Sequence, residues 1–197
     1  MPQDVRQGQR RERLIEAALD RVGADGLAGL TVGSVATAAG LSKRYFYESF
    51  ESLDELVGAA LGQVFSRVGG AIESSGLDAS AEARDVLDVA VRGALDVVED
   101  PRAARLYLES AASPTAAAVR DAAVDALVEQ LLGRVADSGR DLASVRLLGH
   151  LLVSGGTHVV ALWLRGGLDL TRDELVDHLV DIGTTGAAWM DETARSR

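Results

Sequence analysis

Cysteine is absent from the 197-residue chain, which excludes disulfides, thiolate nucleophiles and Cys-ligated zinc or iron–sulfur centres. Proline is scarce, at three residues, so few positions forbid a helix. Bases are outnumbered, 20 Lys+Arg against 30 Asp+Glu, and a net charge of −10 argues against coating nucleic acid or an anionic membrane through bulk charge. No apolar run of signal-peptide type opens the sequence. One uncharged stretch, residues 147–164, lies between Arg146 and Arg165 but is diluted by His150, Ser154, Gly155, Gly156, Thr157 and His158. A membrane span needs ~20 predominantly apolar residues. The stretch therefore reads as a buried or interface helix, and a cytoplasmic protein without a membrane partner is expected. With 47% hydrophobic and 25% charged residues the chain is not intrinsically disordered.

What is present is unevenly spread. Residues 1–50 carry seven bases and six acids, whereas 51–197 carry thirteen bases and twenty-four acids. Only the first quarter escapes repulsion by a polyanion, and Arg6, Arg10, Arg11 and Arg13 crowd its start. That cluster reads either as a disordered, solvated arm or as a segment reaching phosphate or the adjacent minor groove. Four of the eight aromatics, Tyr45, Phe46, Tyr47 and Phe50, fall within six residues.

Helical periodicity runs almost throughout. Leu14, Ile15, Ala18, Leu19 and Val22 form an apolar stripe, with Gly23 and Gly26 as stop signals after it. Thr31 can cap a short helix burying Val32, Val35, Ala36 and Ala39, and Ser42 can cap the next, which buries Phe46 and Phe50. Ser52-Leu-Asp-Glu55 is a capping box opening a longer helix, bendable at Gly69-Gly70 and ended by Ser74-Ser75-Gly76. Further helices are expected over about 80–99, 102–111, 115–137, 142–165 and 172–190, punctuated by Pro101, Pro114, Gly166-Gly167 and a Thr171-to-Glu174 capping box. No segment sustains period-two alternation. The fold class is all-α.

Residues 32–50 read as a helix-turn-helix. Ala36 sits where the two helices cross, and Gly40 takes the left-handed conformation that ends the first. Leu41 anchors the turn. The opposite face of the second helix offers Ser42, Lys43, Arg44, Tyr45, Tyr47 and Ser49 to solvent, donors and rings suited to a DNA major groove. The stretch from Leu30 to Leu56, LTVGSVATAAGLSKRYFYESFESLDEL, resembles the DNA-binding domain of the TetR family of bacterial transcriptional regulators, and residues 10–26 resemble that family's first helix. The resemblance implies a head over residues 1–51, in which Thr31, Ser34 and Tyr47 contact phosphates while Lys43, Arg44 and Tyr45 meet base edges and nearby backbone. Two departures stand out. Leu53 replaces a usual base and Ser49 an often-found histidine, so only moderate salt dependence is expected, each lost phosphate contact lowering the slope by roughly 0.9.

For residues 52–197 the resemblance implies a ligand-binding and dimerisation domain, with the homodimer formed through the helices at about 142–165 and 172–190. Gly155-Gly156 would let a partner backbone approach there, or mark a kink. The partners implied are a palindromic double-stranded DNA operator and a small hydrophobic or amphipathic effector. The protein is then a repressor that the effector releases from its operator. Candidate effector contacts are Phe65, Tyr107, Glu109, His158 and Trp163. His150 and His158, eight apart, sit about 80° off a common helix face, so no metal site is expected, and no cofactor. No arrangement of residues supports catalysis. The alternative is a helical ligand carrier or enzyme with an architectural N-terminal unit.

Overall fold

The computed structural model describes residues 3–77, 81–135 and 141–195. Among these every regular element is helical, in nine α-helices and two short 3-10 turns. The expected helix start at 80 and end at 137 lie outside the described residues. The chain forms two compact units, one running up to Phe65 and including Val98–Arg120, the other Ser66–Val97 and the chain from Asp121 onward.

The first unit is built on α1 (Gln3–Asp25). Leu14, Ala18, Leu19 and Val22 of its apolar stripe are almost fully buried. Gly23 does not stop this helix. It lies inside it, where a Cβ would come 2.7 Å from Cγ of Arg102, so the close approach accounts for glycine there. The stop is Gly26, whose φ of 80° only glycine adopts freely. The arginine-rich start is helical from Gln3 rather than a disordered arm.

Next come α2 (Val32–Ala38) and α3 (Lys43–Tyr47). α6 (Pro101–Glu109) starts on Pro101, with the Asp100 carboxylate accepting the Arg102 amide at 2.9 Å. Arg102 grips Asp100 through Nη2 at 2.8 Å and Glu16 and Asp20 of α1 through Nη1, at 2.6 and 2.5 Å. Three carboxylates around one guanidinium, Asp100 foremost, raise its pKa further and fix α6 along α1. α4 (Leu53–Ser74) opens on Ser52, whose hydroxyl accepts the Glu55 amide at 3.1 Å, and it continues as helix through Gly69 and Gly70. The first turn of α4 meets the start of α7 (Pro114–Val135), where the Asp54 carboxylate accepts the Ser113 hydroxyl at 2.8 Å and that of Thr115.

The second unit contains α5 (Ala83–Glu99) up to Val97, α8 (Leu142–Leu164) and α9 (Arg172–Arg195), with the later parts of α4 and α7. Gly166, at φ 72°, ends α8, and the Gly166 and Gly167 amides donate to Trp163 and Leu162 carbonyls at 2.9 Å. Thr171 and Glu174 cap α9 reciprocally. α9 packs closely on α8 where Gly186 meets Leu148 and Gly183 meets Leu152, and on α5 where Gly183 meets Leu87. The uncharged stretch is not buried within the chain, which leaves the interface half of the expectation. Leu147 and Leu151 are 73% and 67% exposed, and Val160 is its one buried residue among those described. Among the described residues, Leu142–Leu164 alone is long and apolar enough to cross a membrane by length and composition.

Candidate nucleic-acid interface

The site begins with a well-made turn. The Thr31 hydroxyl accepts the Ser34 amide and the Ser34 hydroxyl accepts the Thr31 amide, both at 3.0 Å, closing a capping box at the start of α2. At its other end Gly40, at φ 63°, donates to the Thr37 carbonyl, and Leu41 donates to that of Ala36 at 2.8 Å. These two bonds are the Schellman pattern that turns a chain sharply out of a helix. Arg13 of α1 donates to the Ala39 carbonyl, adding a cation at the negative end of α2.

That turn delivers α3 with one face sunk and one free. Phe46 and Phe50 are buried, 6.0 Å apart between ring centroids, beside buried Val35 and Ala36. Arg11 lies 4.4 Å over the Phe50 ring. On the other face Ser42, Lys43, Arg44, Tyr45 and Tyr47 are exposed. Tyr47 leans edge-on against Phe46, at 5.4 Å, which fixes its ring while leaving it 60% exposed. Lys43 runs back over the first turn of α2, where a Cβ at Gly33 would lie 3.8 Å from its Nζ and 3.9 Å from the Thr31 hydroxyl.

Thr31 is exposed and Ser34 half-buried at the edge nearest Lys43. Ser42 serves as cap of α3, its hydroxyl reaching the Tyr45 amide at 3.5 Å. Ser49 departs from expectation. It is half-buried past the end of α3, and its hydroxyl donates to the Tyr45 carbonyl at 3.0 Å. Sequence reasoning missed three contacts here. Arg10 sits 4.8 Å over the Tyr45 ring, and Glu48 accepts Arg44 Nε at 3.0 Å and lies 3.9 Å from Arg10 Nη1. The Arg44–Glu48 spacing of four carried a readable signal; Arg10, on another helix, carried none.

The five candidate effector contacts do not form one cluster within either unit. Phe65 of α4 and Tyr107 of α6 meet edge-to-face at 6.1 Å in the first unit, both half-buried. Glu109 is exposed and committed elsewhere. It accepts Arg105 Nε at 2.7 Å and the Leu27 amide, which together hold its carboxyl below the usual range. In the second unit His158 is exposed, and Trp163 donates from Nε1 to the Leu170 carbonyl at 2.8 Å, closing the turn after α8. Among the described residues no cluster of His, Asp or Glu could hold a metal.

No protein-family model matches the chain. It is 26% identical over 193 residues to the HTH-type transcriptional activator FasR of Mycolicibacterium smegmatis, covering 96% of this chain and 84% of that protein. It is 33% identical over 96 residues to the HTH-type transcriptional regulator BetI of Stenotrophomonas maltophilia, spanning about half of each (49%). A solved tetR-family regulator from Streptomyces coelicolor superposes with a TM-score of 0.73 at 22% identity, over 95% of this chain and 86% of that one. These matched proteins are transcriptional regulators rather than enzymes.

Proposed function

We infer that this chain, a TetR-like transcriptional regulator by fold and by likeness, reads a palindromic duplex operator as a homodimer and leaves it when a small hydrophobic or amphipathic effector binds. Residues 1–51 are the reading head and 52–197 the effector-binding and dimerisation part. The single observation that carries this reading is the exposed row Lys43, Arg44, Tyr45 and Tyr47, held on a helix whose Phe46, with Phe50 just beyond its end, is sunk into the core. Arg44 and Tyr45 meet base edges. Lys43, Thr31, Ser34 and Tyr47 take phosphates along the rim. Ser42 and Ser49 contribute less, since their hydroxyls serve the local backbone.

Dimerisation is supported by what the single chain leaves uncovered. Leu147, Leu151 and Leu162 of α8 and Ile182 and Trp189 of α9 are exposed, and Gly155 and Gly156 face open space. A paired copy would bury this apolar surface and set two α3 helices at half-sites about 34–36 Å apart or a multiple of it. The likeness to transcriptional regulators and the need to reach DNA support a cytoplasmic location.

Effector contact is assigned to Phe65, on the helix that leads from the head, and to Tyr107 of α6, which meets it. An effector that binds better to one arrangement of α4 than to another shifts the spacing of the heads, and only that difference in affinity can drive release. The name of FasR supports a second reading of sign, in which the bound regulator activates. A promoter fusion scored with and without the protein separates the two. The reading itself is tested by Arg44→Ala and Tyr45→Ala against a duplex enriched from a random pool by the full chain. Each should weaken specific binding by about 1–3 kcal/mol and relax base preference, and wild-type behaviour in both would contradict it.

A further inference from the structure

Glu48 is an acid on the face proposed to meet a polyanion, and its position is not casual. Its Oε1 accepts Arg44 Nε at 3.0 Å, and its Oε2 lies 3.9 Å from Arg10 Nη1. Arg10 in turn covers the Tyr45 ring at 4.8 Å, and its Nε is buried without an acceptor. One carboxylate therefore stands between two guanidinium groups and beside the aromatic that Arg10 braces. Arg44 is otherwise free to swing, with its side chain 85% exposed. Engaging its Nε leaves the terminal Nη pair available, the edge that can read guanine O6 and N7 together.

We propose that Glu48 is a positioning and specificity-determining residue, which withholds Arg44 from indiscriminate phosphate contact and presents its Nη edge to a base. The proposal rests on the reading of α3 as the DNA-contacting helix. Nonspecific binding is driven by counterion release from phosphates that arginine and lysine neutralise. An arginine already paired to an internal carboxylate gains less by moving to a phosphate. On the right base it keeps its partner and adds two hydrogen bonds, so the pairing taxes the wrong complex more than the right one.

The test uses the full chain, a random-sequence duplex pool as nonspecific probe, and the duplex that wild type enriches from that pool. With Glu48→Gln, nonspecific affinity should rise about five- to tenfold near 0.1 M salt and the salt slope should steepen by about 0.9, the increment expected when one further phosphate is neutralised. Affinity for the enriched duplex should rise less, so the ratio between them falls. In an Arg44→Ala background the same change should have less than half that effect, because the group it frees is gone. Glu51→Gln, removing an exposed acid three residues on, should leave the slope near the wild-type value. Equal increases with and without Arg44, or a slope unmoved by Glu48→Gln, would overturn the proposal while leaving the reading of α3 intact. Failure of wild type to bind any duplex would remove both.

Discussion

Lys43 is the only lysine in the chain, and it stands on the exposed face of α3 with its amine near the first turn of α2. Amine acetylation can therefore touch this side chain and the N-terminal amine alone. It should weaken duplex binding, lower the salt slope by about 0.9 and be blocked by bound duplex; mass spectrometry of the modified protein with and without DNA checks this. Gly40 carries the opposite kind of information, a backbone requirement. At φ 63°, with Arg13 Nη2 3.2 Å from where a Cβ would lie, Gly40→Ala should lower stability by about 1–2 kcal/mol in urea unfolding. The exposed donors of α3 were legible in the sequence because a buried Phe46 and Phe50 dictate which face is left. Ser49 was misjudged although its partner, the Tyr45 carbonyl, lies only four residues back, whereas Glu109 was not legible, since the Leu27 amide that engages it is distant in sequence.

At the level of elements, the first unit is held by carboxylates at helix ends. Asp54 is kept below the ordinary carboxylate range by the hydroxyls of Thr115 and Ser113, Asp100 by Arg102, and Glu109 by Arg105 and the Leu27 amide. A carboxylate with a depressed folded pKa adds stability that is complete above its unfolded value, about 4, and disappears as pH falls through the folded one. The thermal midpoint should accordingly drop as pH goes below about 4, and Asp54→Asn should flatten that acid limb. No change in the limb would detach Asp54 from the junction of α4 and α7. Caps and stops such as Thr31, Ser52, Gly40 and Thr171 were readable because they act within a few residues. The reason for a glycine at 23, inside α1, was not. It depends on Arg102, nearly eighty residues away, lying against it.

For the whole molecule, the sequence showed that residues 147–164 need cover, and the chain alone does not provide it. Periodicity reports that a face is apolar without saying whether its cover lies in the same chain. Leu147→Glu with Leu151→Glu should convert a dimer to monomers in sedimentation velocity and weaken duplex binding, while the helical content stays unchanged. A symmetric pair of heads makes a stronger demand still, on the DNA itself. The most direct measurement is selection of duplexes from a random pool by the wild-type chain, followed by sequencing. The enriched sequences should be inverted repeats with half-sites about 10–10.5 bp apart, centre to centre, or a multiple of that. Enrichment of unrepeated sites, or of nothing above the starting pool, would contradict the account.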